Sequence, residues 1–397
     1  MDNNDENKKE LRPSSYEATT SRRKILKSTL GIGAGIAGMG ILGGVSQPAS
    51  AGLVSDLVST ALEGNFRIDV HCHLIPDFYR TSLAEYGITT AGGIPLPPWS
   101  PVLAVGFMNQ HGIQTQVLSV SEPGVYYLPS SNLRQDMAWQ INNYLANDLI
   151  NSEDPLIRGR FGGFAVMPLG DANNANDIQN SITEAERAIY SLNLDGIGLY
   201  SNYHGLYLGD PALDPLMEKL NDMEAMVFLH PVTPSAMPDI ALPTFLFEFP
   251  FDTTRAVVNM LYHNVFTRFP NIRWLIAHAG GTVPFLAYRT SLLQLYPGIA
   301  QELGIGGSLQ NGGLAYAKLF YDTALSPTPS AMKSVLEVTS SSHILFATDW
   351  PFSSPLFLLP GDPAPQLAET FQGSDLNNVL RNNALSQLPT VKARIGA

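Results

Sequence analysis

From about residue 66 onward, short runs of apolar and β-branched residues alternate with longer amphipathic stretches. The short runs have the length and composition of buried strands, and the longer stretches have helical periodicity. The eight predicted strands are Phe66–Val70, Gln116–Val120, Gly162–Met167, Gly196–Tyr200, Met226–His230, Ile272–His278, Lys318–Thr323 and His343–Asp349. Amphipathic stretches between them include Asn132–Ile150, Asn176–Leu192, Thr253–Phe269 and Pro329–Thr339. This alternation predicts an α/β fold, a (β/α)8 TIM-like barrel.

The connection between the first two predicted strands, residues 74–115, is long for a simple strand-to-helix loop. It contains the sequence Gly-Gly-Ile-Pro-Leu-Pro-Pro-Trp at positions 92–99. We predict that this segment forms a cap over the barrel mouth, with some helix in it. The alternative is a surface excursion that does not contact substrate.

Several predicted strands end in histidine or aspartate. In Asp69-Val-His-Cys-His73, the period of two places His71 and His73 on one face of the strand and Cys72 on the other. The other strand ends carry His230 before proline, His278 in Ala-His-Ala-Gly-Gly, and Asp349 in Thr-Asp-Trp-Pro. Any one histidine there could be an ordinary packed residue. Because the carboxyl ends of barrel strands meet at one rim, their recurrence predicts a shared metal site.

The bulk composition fits one large globular domain. The chain has 397 residues, 45% of them hydrophobic and 15% charged. It has a single cysteine, which excludes an intramolecular disulfide, and we interpret Cys72 as a small buried residue behind the metal strand rather than a reactive thiol. The net charge of −12 argues against nucleic acid or an anionic membrane as a partner.

The first 51 residues have the pattern of a twin-arginine export signal. Arg22-Arg23 precede the mildly apolar, glycine-rich run Leu30–Val45, and Ala49-Ser-Ala51 resembles a cleavage site. The predicted domains are therefore a cleaved signal at 1–51 and a barrel domain at 52–397. We expect a periplasmic or extracellular protein with no stable membrane association after cleavage. An uncleaved membrane anchor is the alternative.

These motifs resemble a known family. His71-x-His73, His230-Pro, Ala-His278-Ala-Gly-Gly and Thr-Asp349-Trp-Pro-Phe are similar to those of the amidohydrolase-related (amidohydrolase 2) metal-dependent decarboxylases. The resemblance runs from about Ile68 to about Phe352. It is closest to the 6-methylsalicylate decarboxylase and aminocarboxymuconate semialdehyde decarboxylase members, through the segment at 92–100 and Glu248-Phe-Pro-Phe-Asp-Thr-Thr-Arg255.

The resemblance implies that His71, His73, His230 and Asp349 bind one divalent metal. His278 would stand beside the metal-bound water and transfer a proton, or only orient the site, and Asp349 would also take part in catalysis. Two-metal members of the wider superfamily place a lysine at the end of strand four, where this chain reads Asp195-Gly-Ile-Gly-Leu-Tyr200. We therefore expect one ion, with Zn²⁺ as first choice, Mn²⁺ also possible, and no organic cofactor.

Three residues are candidates for substrate binding. In the semialdehyde decarboxylases, an arginine spaced like Arg289 reaches the substrate carboxylate in the neighbouring subunit, which would make this chain a homodimer or a higher homo-oligomer. Phe245 falls where those relatives place an aromatic ring, and Trp99 in the cap has a similar candidate role. Alternatively, Arg289 forms a structural ion pair and the two aromatic residues belong to the core.

The predicted activity is non-oxidative decarboxylation of a small aromatic or unsaturated carboxylic acid, similar to 6-methylsalicylate. A hydrolase acting on lactones, or a hydratase, would use the same metal-activated water. A binding protein with a structural metal is disfavoured, because the ligand set leaves a coordination position open.

Overall fold

The computed structural model describes residues 66–238, 240–302 and 312–397. The predicted export signal at 1–51 lies outside these residues. Eight parallel strands form one sheet in chain order. They are β1 (Arg67–His73), β2 (Ile113–Ser119), β3 (Phe161–Val166), β4 (Gly196–Tyr200), β5 (Met226–His230), β6 (Arg273–Ile276), β7 (Phe320–Asp322) and β8 (Ile344–Leu345).

The sheet closes on itself between its first and last strands. The N–H of Val70 donates to the carbonyl of Phe346, and the N–H of His73 donates to the carbonyl of Trp350. Cys72 and Trp350 form a parallel bridge. The predicted (β/α)8 barrel is therefore confirmed, and closure places the ends of β1 and β8 side by side.

Helices follow most of the strands and cover the outside of the barrel. They are α1 (Asp77–Glu85), α2 (Pro101–Gln110), α3 (Ser131–Tyr144), α4 (Ala175–Glu186), α5 (Asp214–Asp222), α6 (Glu248–Tyr262), α7 (Val265–Arg268), α8 (Val283–Thr290), α9 (Pro297–Glu302), α10 (Gly312–Tyr316), α11 (Pro329–Leu336), α12 (Gly373–Asn377), α13 (Asn383–Gln387) and α14 (Pro389–Arg394). Serines cap two of them: Ser100 Oγ accepts the N–H of Leu103, and Ser130 Oγ accepts that of Leu133. No helix in the described part of the chain is long and apolar enough to span a membrane.

Two apolar layers hold the barrel together. The inner cluster fills the barrel with side chains such as Val70, Phe164 and Phe228, and the outer cluster lies between the strands and the helices. The C-terminal helices add Leu388 and Val391 to the inner cluster. Since Arg394 pairs with Asp195, just before β4 begins, these helices close the amino end of the barrel. The site at the opposite end of the barrel therefore lies above a closely packed barrel interior.

In strand β1, the alternation of residues that face into and out of the barrel is interrupted just before the histidine pair. Val70 belongs to the inner cluster and Cys72 to the outer one, although residues two apart on a regular strand share a face. The pairing of β1 with β2 is irregular between Asp69 and Cys72. This irregularity brings His71 over Phe228 inside the barrel, with ring centroids 4.8 Å apart. Cys72 is buried and faces outward, as predicted.

All eight predicted strands are present, but three of them are shorter than predicted, and β7 covers only Phe320–Asp322 within the predicted 318–323. β6 ends at Ile276 and not at His278, and β8 covers only Ile344–Leu345 within the predicted 343–349. His278 has φ of 54° and Asp349 has φ of 63°, so neither residue can continue a strand. Left-handed backbone at non-glycine residues is uncommon and concentrates at functional sites.

The long connection after β1 forms a cap, as predicted. After α1, a short hairpin pairs Thr90–Ala91 with Ile94–Pro95. Its turn packs against the segment before α6, where the N–H of Phe245 donates to the carbonyl of Gly92 at 3.0 Å. A Cβ on Gly92 would lie 2.8 Å from the Phe249 ring, so only glycine fits this approach. Helix α2, which ends the same connection, packs against β2 as an ordinary barrel helix.

Candidate metal centre

Four buried side chains from three strand ends converge at the carboxyl rim of the barrel. Nε2 of His71 lies 3.1 Å from Nε2 of His73. Oδ1 of Asp349 lies 3.0 Å from Nε2 of His73 and 3.5 Å from Nε2 of His71. His230 completes the group, and one ligand atom from each of the four residues lies within 4.8 Å of the others. The predicted metal ligands are thus brought together.

Each imidazole is fixed through its other ring nitrogen. Nδ1 of His71 donates to Asp322 Oδ2 at 2.7 Å, and Nδ1 of His230 donates to the carbonyl of Pro231 at 2.7 Å. Nδ1 of His73 lies 3.3 Å from the carbonyl of Ser119. With Nδ1 protonated, each Nε2 carries a lone pair that points into the group.

This arrangement fits a divalent cation. Three Nε2 lone pairs and a carboxylate oxygen face one another at distances where hydrogen-bond acceptors repel, and a cation between them would satisfy all four. Hydrogen bonds from the remote ring nitrogen to carbonyl or carboxylate oxygens are typical of histidine ligands. The nitrogen and oxygen donor set suits Zn²⁺, and it also suits Mn²⁺.

The electrostatics of the site keep its ligands in the state that binds metal. Burial lowers the pKa of His71 and of His230 well below the usual range, so both imidazoles are neutral at neutral pH. Burial alone would raise the pKa of Asp349. In the tautomer of His73 that carries its proton on Nε2, the one expected without a metal, its hydrogen bond to Asp349 and the neighbouring imidazoles outweigh that effect and lower the pKa of Asp349 below its usual value.

His278 lies beside the four ligands, where it was predicted. Its ring centroid is 4.9 Å from that of His71 and 6.0 Å from that of His230. Nδ1 of His278 lies 3.1 Å from the carbonyl of Ala324, which leaves Nε2 for the cavity. The residues after His278 have left-handed backbone conformations and pack tightly. A Cβ on Gly281 would lie 2.2 Å from the carbonyl oxygen of Pro250. This turn aims the imidazole across the barrel mouth.

Two buried carboxylates support the site and were not predicted. Asp322 accepts the His71 hydrogen bond, and burial raises the pKa of its carboxyl to about 7. Asp69 accepts hydrogen bonds from the N–H and the hydroxyl of Thr348, next to Asp349. Burial raises the pKa of Asp69 to about 7 as well. The sequence signal was an acidic residue within an apolar strand, which costs free energy unless that residue has partners.

A cavity of about 330 Å³ opens directly over the four ligands. Its polar side chains are His230, His278, Asp349, Ser121 and Ser353, and the rest of its wall is apolar. The apolar wall consists of Ala91, Ile94, Phe245, Phe249, Leu325, Phe352, Pro355 and Leu356. A volume of this size lies within the range of about 300–1,000 Å³ that is usual for small-molecule sites.

The structure separates the three substrate-binding candidates. Phe245 lines the cavity. Trp99 does not: it is buried in the outer core, 6.4 Å from the ring of Tyr144. Arg289 is exposed on α8, away from the cavity of its own chain. Phe249, Phe352 and Ser353 also line the cavity and were missed, because aromatic and small polar residues in loops carry no distinctive pattern.

Two further positions lie near the ligands. Strand β4 ends at Tyr200, whose hydroxyl donates to the carbonyl of Val120, and brings no lysine to the rim. His204 is exposed in the loop beyond β4, where its ring contacts Tyr126, and it does not join the ligand group.

Comparison with known proteins places the chain in a family. A family model described as amidohydrolase matches residues 68–386. The chain therefore belongs to the amidohydrolase family. The matched range includes every residue of the ligand group and of the cavity wall.

Two similar proteins are named as decarboxylases. Decarboxylase yanB of Aspergillus niger is 32% identical over 303 residues, covering 72% of this chain and 77% of that protein. The 6-methylsalicylic acid decarboxylase of Penicillium expansum is 30% identical over 290 residues, covering 72% and 85%. The predicted resemblance to amidohydrolase-related decarboxylases is confirmed, and with it the enzyme class, a carboxy-lyase.

A solved structure shares the fold. The 5-carboxyvanillate decarboxylase of Novosphingobium aromaticivorans, complexed with manganese and 4-hydroxy-3-methoxy-5-nitrobenzoic acid, superposes with a TM-score of 0.68 at 18% identity. The match covers 82% of this chain and 97% of the other. At this identity the likeness supports the barrel fold.

Proposed function

We propose that this protein is a metal-dependent, non-oxidative decarboxylase of a small aromatic carboxylic acid of the 6-methylsalicylate type. The observation that carries the proposal is the apolar cavity directly over three imidazoles and one carboxylate, with the imidazole of His278 beside them. A closed structural site would have no such opening. The named relatives support the substrate class, since one of them is a 6-methylsalicylic acid decarboxylase.

The cavity wall favours a ring with a single charged group. Among the described residues that line it there is no lysine or arginine. Within one chain, a carboxylate would therefore find positive charge only from a divalent cation held by the four ligands, and the ring would lie among Phe245, Phe249 and Phe352. A second carboxylate on the ring would be desolvated without a partner.

The reaction needs a proton where the carboxylate leaves. A divalent cation held by the four ligands would supply the positive charge that binds and orients the acid. His278 stands within the same cavity and donates the proton. The bond between the ring carbon and the carboxylate breaks, its electron pair stays on the ring carbon, and the proton from His278 takes the place of CO2. Solvent then returns a proton to His278.

The test is a product assay on the purified, metal-loaded protein. We expect CO2 and the corresponding phenol from 6-methylsalicylate, with the new ring hydrogen derived from solvent. Opening of aryl or aliphatic lactones, without CO2 release from any hydroxybenzoate, would contradict the proposal and identify a hydrolase instead.

We propose one divalent ion per chain, with Zn²⁺ as first choice from the ligand set and Mn²⁺ as its competitor. Metal analysis after expression in medium containing both ions tests the choice. Manganese alone at one equivalent would overturn it, and two equivalents of any metal would overturn the single-ion assignment.

We also propose that the chain forms a homodimer in which Arg289 reaches the partner's cavity. Arg289 lies on α8 beside Phe285 and Tyr288, whose side chains are 83% and 81% exposed. Large exposed aromatic residues around a cation are common at protein interfaces. Sedimentation should show a dimer. If Arg289→Ala raises KM for the acid only when the chains associate, the assignment holds; a monomer with full activity would contradict it.

Export by the twin-arginine route is the remaining proposal, and it rests on Arg22-Arg23 and the apolar run that follows. Replacing both arginines by lysine should retain the protein inside the cell, whereas export of that variant at the normal level would refute the route.

A further inference from the structure

The cavity residue Phe245 follows an exposed loop. Strand β5 ends at His230, and α6 begins at Glu248. Between them, the described residues from 235 to 243 are exposed. Phe245 is the first residue after this loop whose side chain lines the cavity. Because an exposed loop does little to fix the residue that follows it, the position of Phe245 depends on contacts made at the base of the loop.

Two threonines close the base of this loop. Thr233 and Thr244 lie at its two ends, and their hydroxyl oxygens are 2.9 Å apart. Thr244 is buried and directly precedes Phe245. The contact between the two hydroxyls therefore connects the position of Phe245 to the end of β5.

The carboxylate of Glu122 fixes the threonine pair from another strand end. Its Oε2 accepts the backbone N–H of Thr233 at 2.8 Å and the Thr233 hydroxyl at 3.0 Å. Because the Thr233 hydroxyl proton is used in this way, the hydroxyl of Thr244 donates to Oγ1 of Thr233. The hydrogen bonds thus run in one direction, from Thr244 through Thr233 to Glu122. Glu122 itself follows Ser121, whose side chain lines the cavity.

A carboxylate at this position has a free-energy cost. Burial raises the pKa of Glu122, and the hydrogen bonds from Thr233 offset the effect of burial only in part. Its negative charge also disfavours an anionic ligand in the adjacent cavity. An ionised carboxylate is, however, a stronger acceptor than a neutral group for the two bonds from Thr233. Glu122 is therefore better suited to fixing the loop than to binding an acid.

We propose that Glu122 is a positioning residue that holds Phe245 in the cavity wall through Thr233 and Thr244. Its consequence for ring binding rests on the proposed function, whereas the hold on Phe245 exists without any ligand. An aromatic side chain that is already in place binds a ring without the entropic cost of being ordered at that moment. Loss of Glu122 should therefore weaken the binding of aromatic ligands through Phe245.

Hydrogen exchange of the metal-loaded protein tests the hold on Phe245 without a ligand. The N–H of Phe245 donates to the carbonyl of Gly92, so its exchange rate reports how often this contact opens. We expect Glu122→Ala to speed the exchange of this amide roughly tenfold, and Thr244→Val, which keeps the shape but removes the donor, to do the same. Glu122→Gln retains an oxygen that can accept both bonds and should exchange like the wild type.

Binding of salicylate, measured by isothermal titration calorimetry on the same protein, tests what the hold does. Relative to Glu122→Gln, which removes the charge alone, we expect Glu122→Ala to weaken salicylate about threefold to tenfold, in line with one aromatic contact. In a Phe245→Ala background, the same comparison should differ by less than about twofold, because the residue that Glu122 positions is absent.

The outcomes separate this role from general stabilisation. Unchanged exchange at Phe245 in Glu122→Ala or Thr244→Val would overturn the proposal, and so would an equal increase throughout α11. Equal weakening of salicylate with and without the Phe245 ring would show that Glu122 acts by another route. The exposed Glu337→Ala is the control and should match the wild type in both measurements.

Failure of the proposed function is distinguishable from failure of this role. A protein that binds salicylate but releases CO2 from no acid defeats the proposed function and leaves both comparisons readable. A wild type that does not bind salicylate would overturn the consequence for ring binding, and the exchange of the Phe245 amide would still decide whether Glu122 holds this residue.

Discussion

The carboxylate of Asp322 connects His71 with His278. Its Oδ2 lies 2.7 Å from Nδ1 of His71, and its Oδ1 accepts the backbone N–H of His278 at 2.8 Å. One buried side chain thus orients a metal ligand and the residue that we assign to proton transfer. Oδ1 also accepts the N–H of Ala324, which fixes the carboxylate itself.

Asp322→Asn should weaken metal binding, because Oδ2 of Asp322 accepts the hydrogen bond that orients His71 and an amide replaces this carboxylate oxygen with a weaker acceptor or a competing donor. Partners of histidine ligands of this kind are worth about 10–100-fold in metal affinity. Titration of the apoprotein with Zn²⁺ against a competing chelator measures the change. Asp375→Asn, on the exposed surface of α12, is the matched control and should bind like the wild type. Unchanged affinity in Asp322→Asn would contradict the positioning role.

His278→Ala should keep its metal and lose turnover. Its imidazole lies beside the ligand group but is not required to complete it. Loss of a general acid typically lowers kcat by about 10²–10⁴-fold. Metal content and CO2 release should be measured on the same preparation, with His204→Ala as the control because His204 is exposed and outside the site. A variant that has lost its metal as well would make His278 a ligand and not a proton donor.

Leu356→Ala should widen the range of ring substituents. Leu325 and Leu356 line both the metal cavity and a neighbouring cavity of about 410 Å³, so they form the wall between the two. Leu356 is 67% exposed and meets a bound ring only on the side that lines the metal cavity, so its truncation should change discrimination by about threefold to tenfold. The ratio of kcat/KM for 6-propylsalicylate to that for 6-methylsalicylate should rise by this factor. Leu358→Ala, at a position in the same loop that lines neither cavity, should leave the ratio unchanged, and an equal change in both variants would refute the assignment of Leu356 to the cavity wall.

Asp177 should stabilise the barrel in a pH-dependent way. It is fully buried and accepts hydrogen bonds from Arg134 at 2.9 Å and from the N–H of Gly170 at 3.0 Å. Burial alone would raise the pKa of Asp177, but the hydrogen bonds from Arg134, Ser131 and the N–H of Asp171, together with the charge of Arg134, outweigh burial and lower the pKa. Because the pKa of Asp177 is lower in the folded state than in the unfolded state, its ionised carboxylate stabilises the fold at pH values above the unfolded-state pKa. This stabilisation is lost as the pH falls through the folded-state pKa.

Asp177→Ala should therefore lower the free energy of unfolding by about 3–5 kcal/mol at neutral pH, because Arg134 is left buried and unpaired. Urea denaturation at pH 7 and near pH 3 measures the effect. The difference in the free energy of unfolding between the variant and the wild type should be smaller at the lower pH. The exposed Asp222→Ala is the control, and a gap of the same size at both pH values would contradict the assignment.

The strand pattern and the metal ligands could be read from the sequence because both follow a simple period. Apolar strand runs end in polar residues at positions that a closed barrel must bring to one rim, so His71, His73, His230 and Asp349 were predictable before their distances were known. Strand ends were less predictable. The left-handed backbone of His278 and Asp349 depends on packing around the site and has no local signal.

The supporting residues depend on contacts between distant segments, and sequence patterns do not show these. Asp322 and Asp69 were predicted only as residues of strands. In the structure, their carboxylates accept hydrogen bonds from His71 and Thr348. Trp99 and Phe249 illustrate the same limit, since both are buried aromatic residues near the cap and only Phe249 lines the cavity.

The central claim is that four side chains at the barrel rim bind one divalent ion on which decarboxylation depends. Its most direct test is a titration of the chelator-treated protein with Zn²⁺ or Mn²⁺, following CO2 release from 6-methylsalicylate at each addition. We expect no release from the apoprotein, a linear rise, and saturation at one equivalent per chain. Full release from the metal-free protein, or a rise that continues to two equivalents, would contradict the claim.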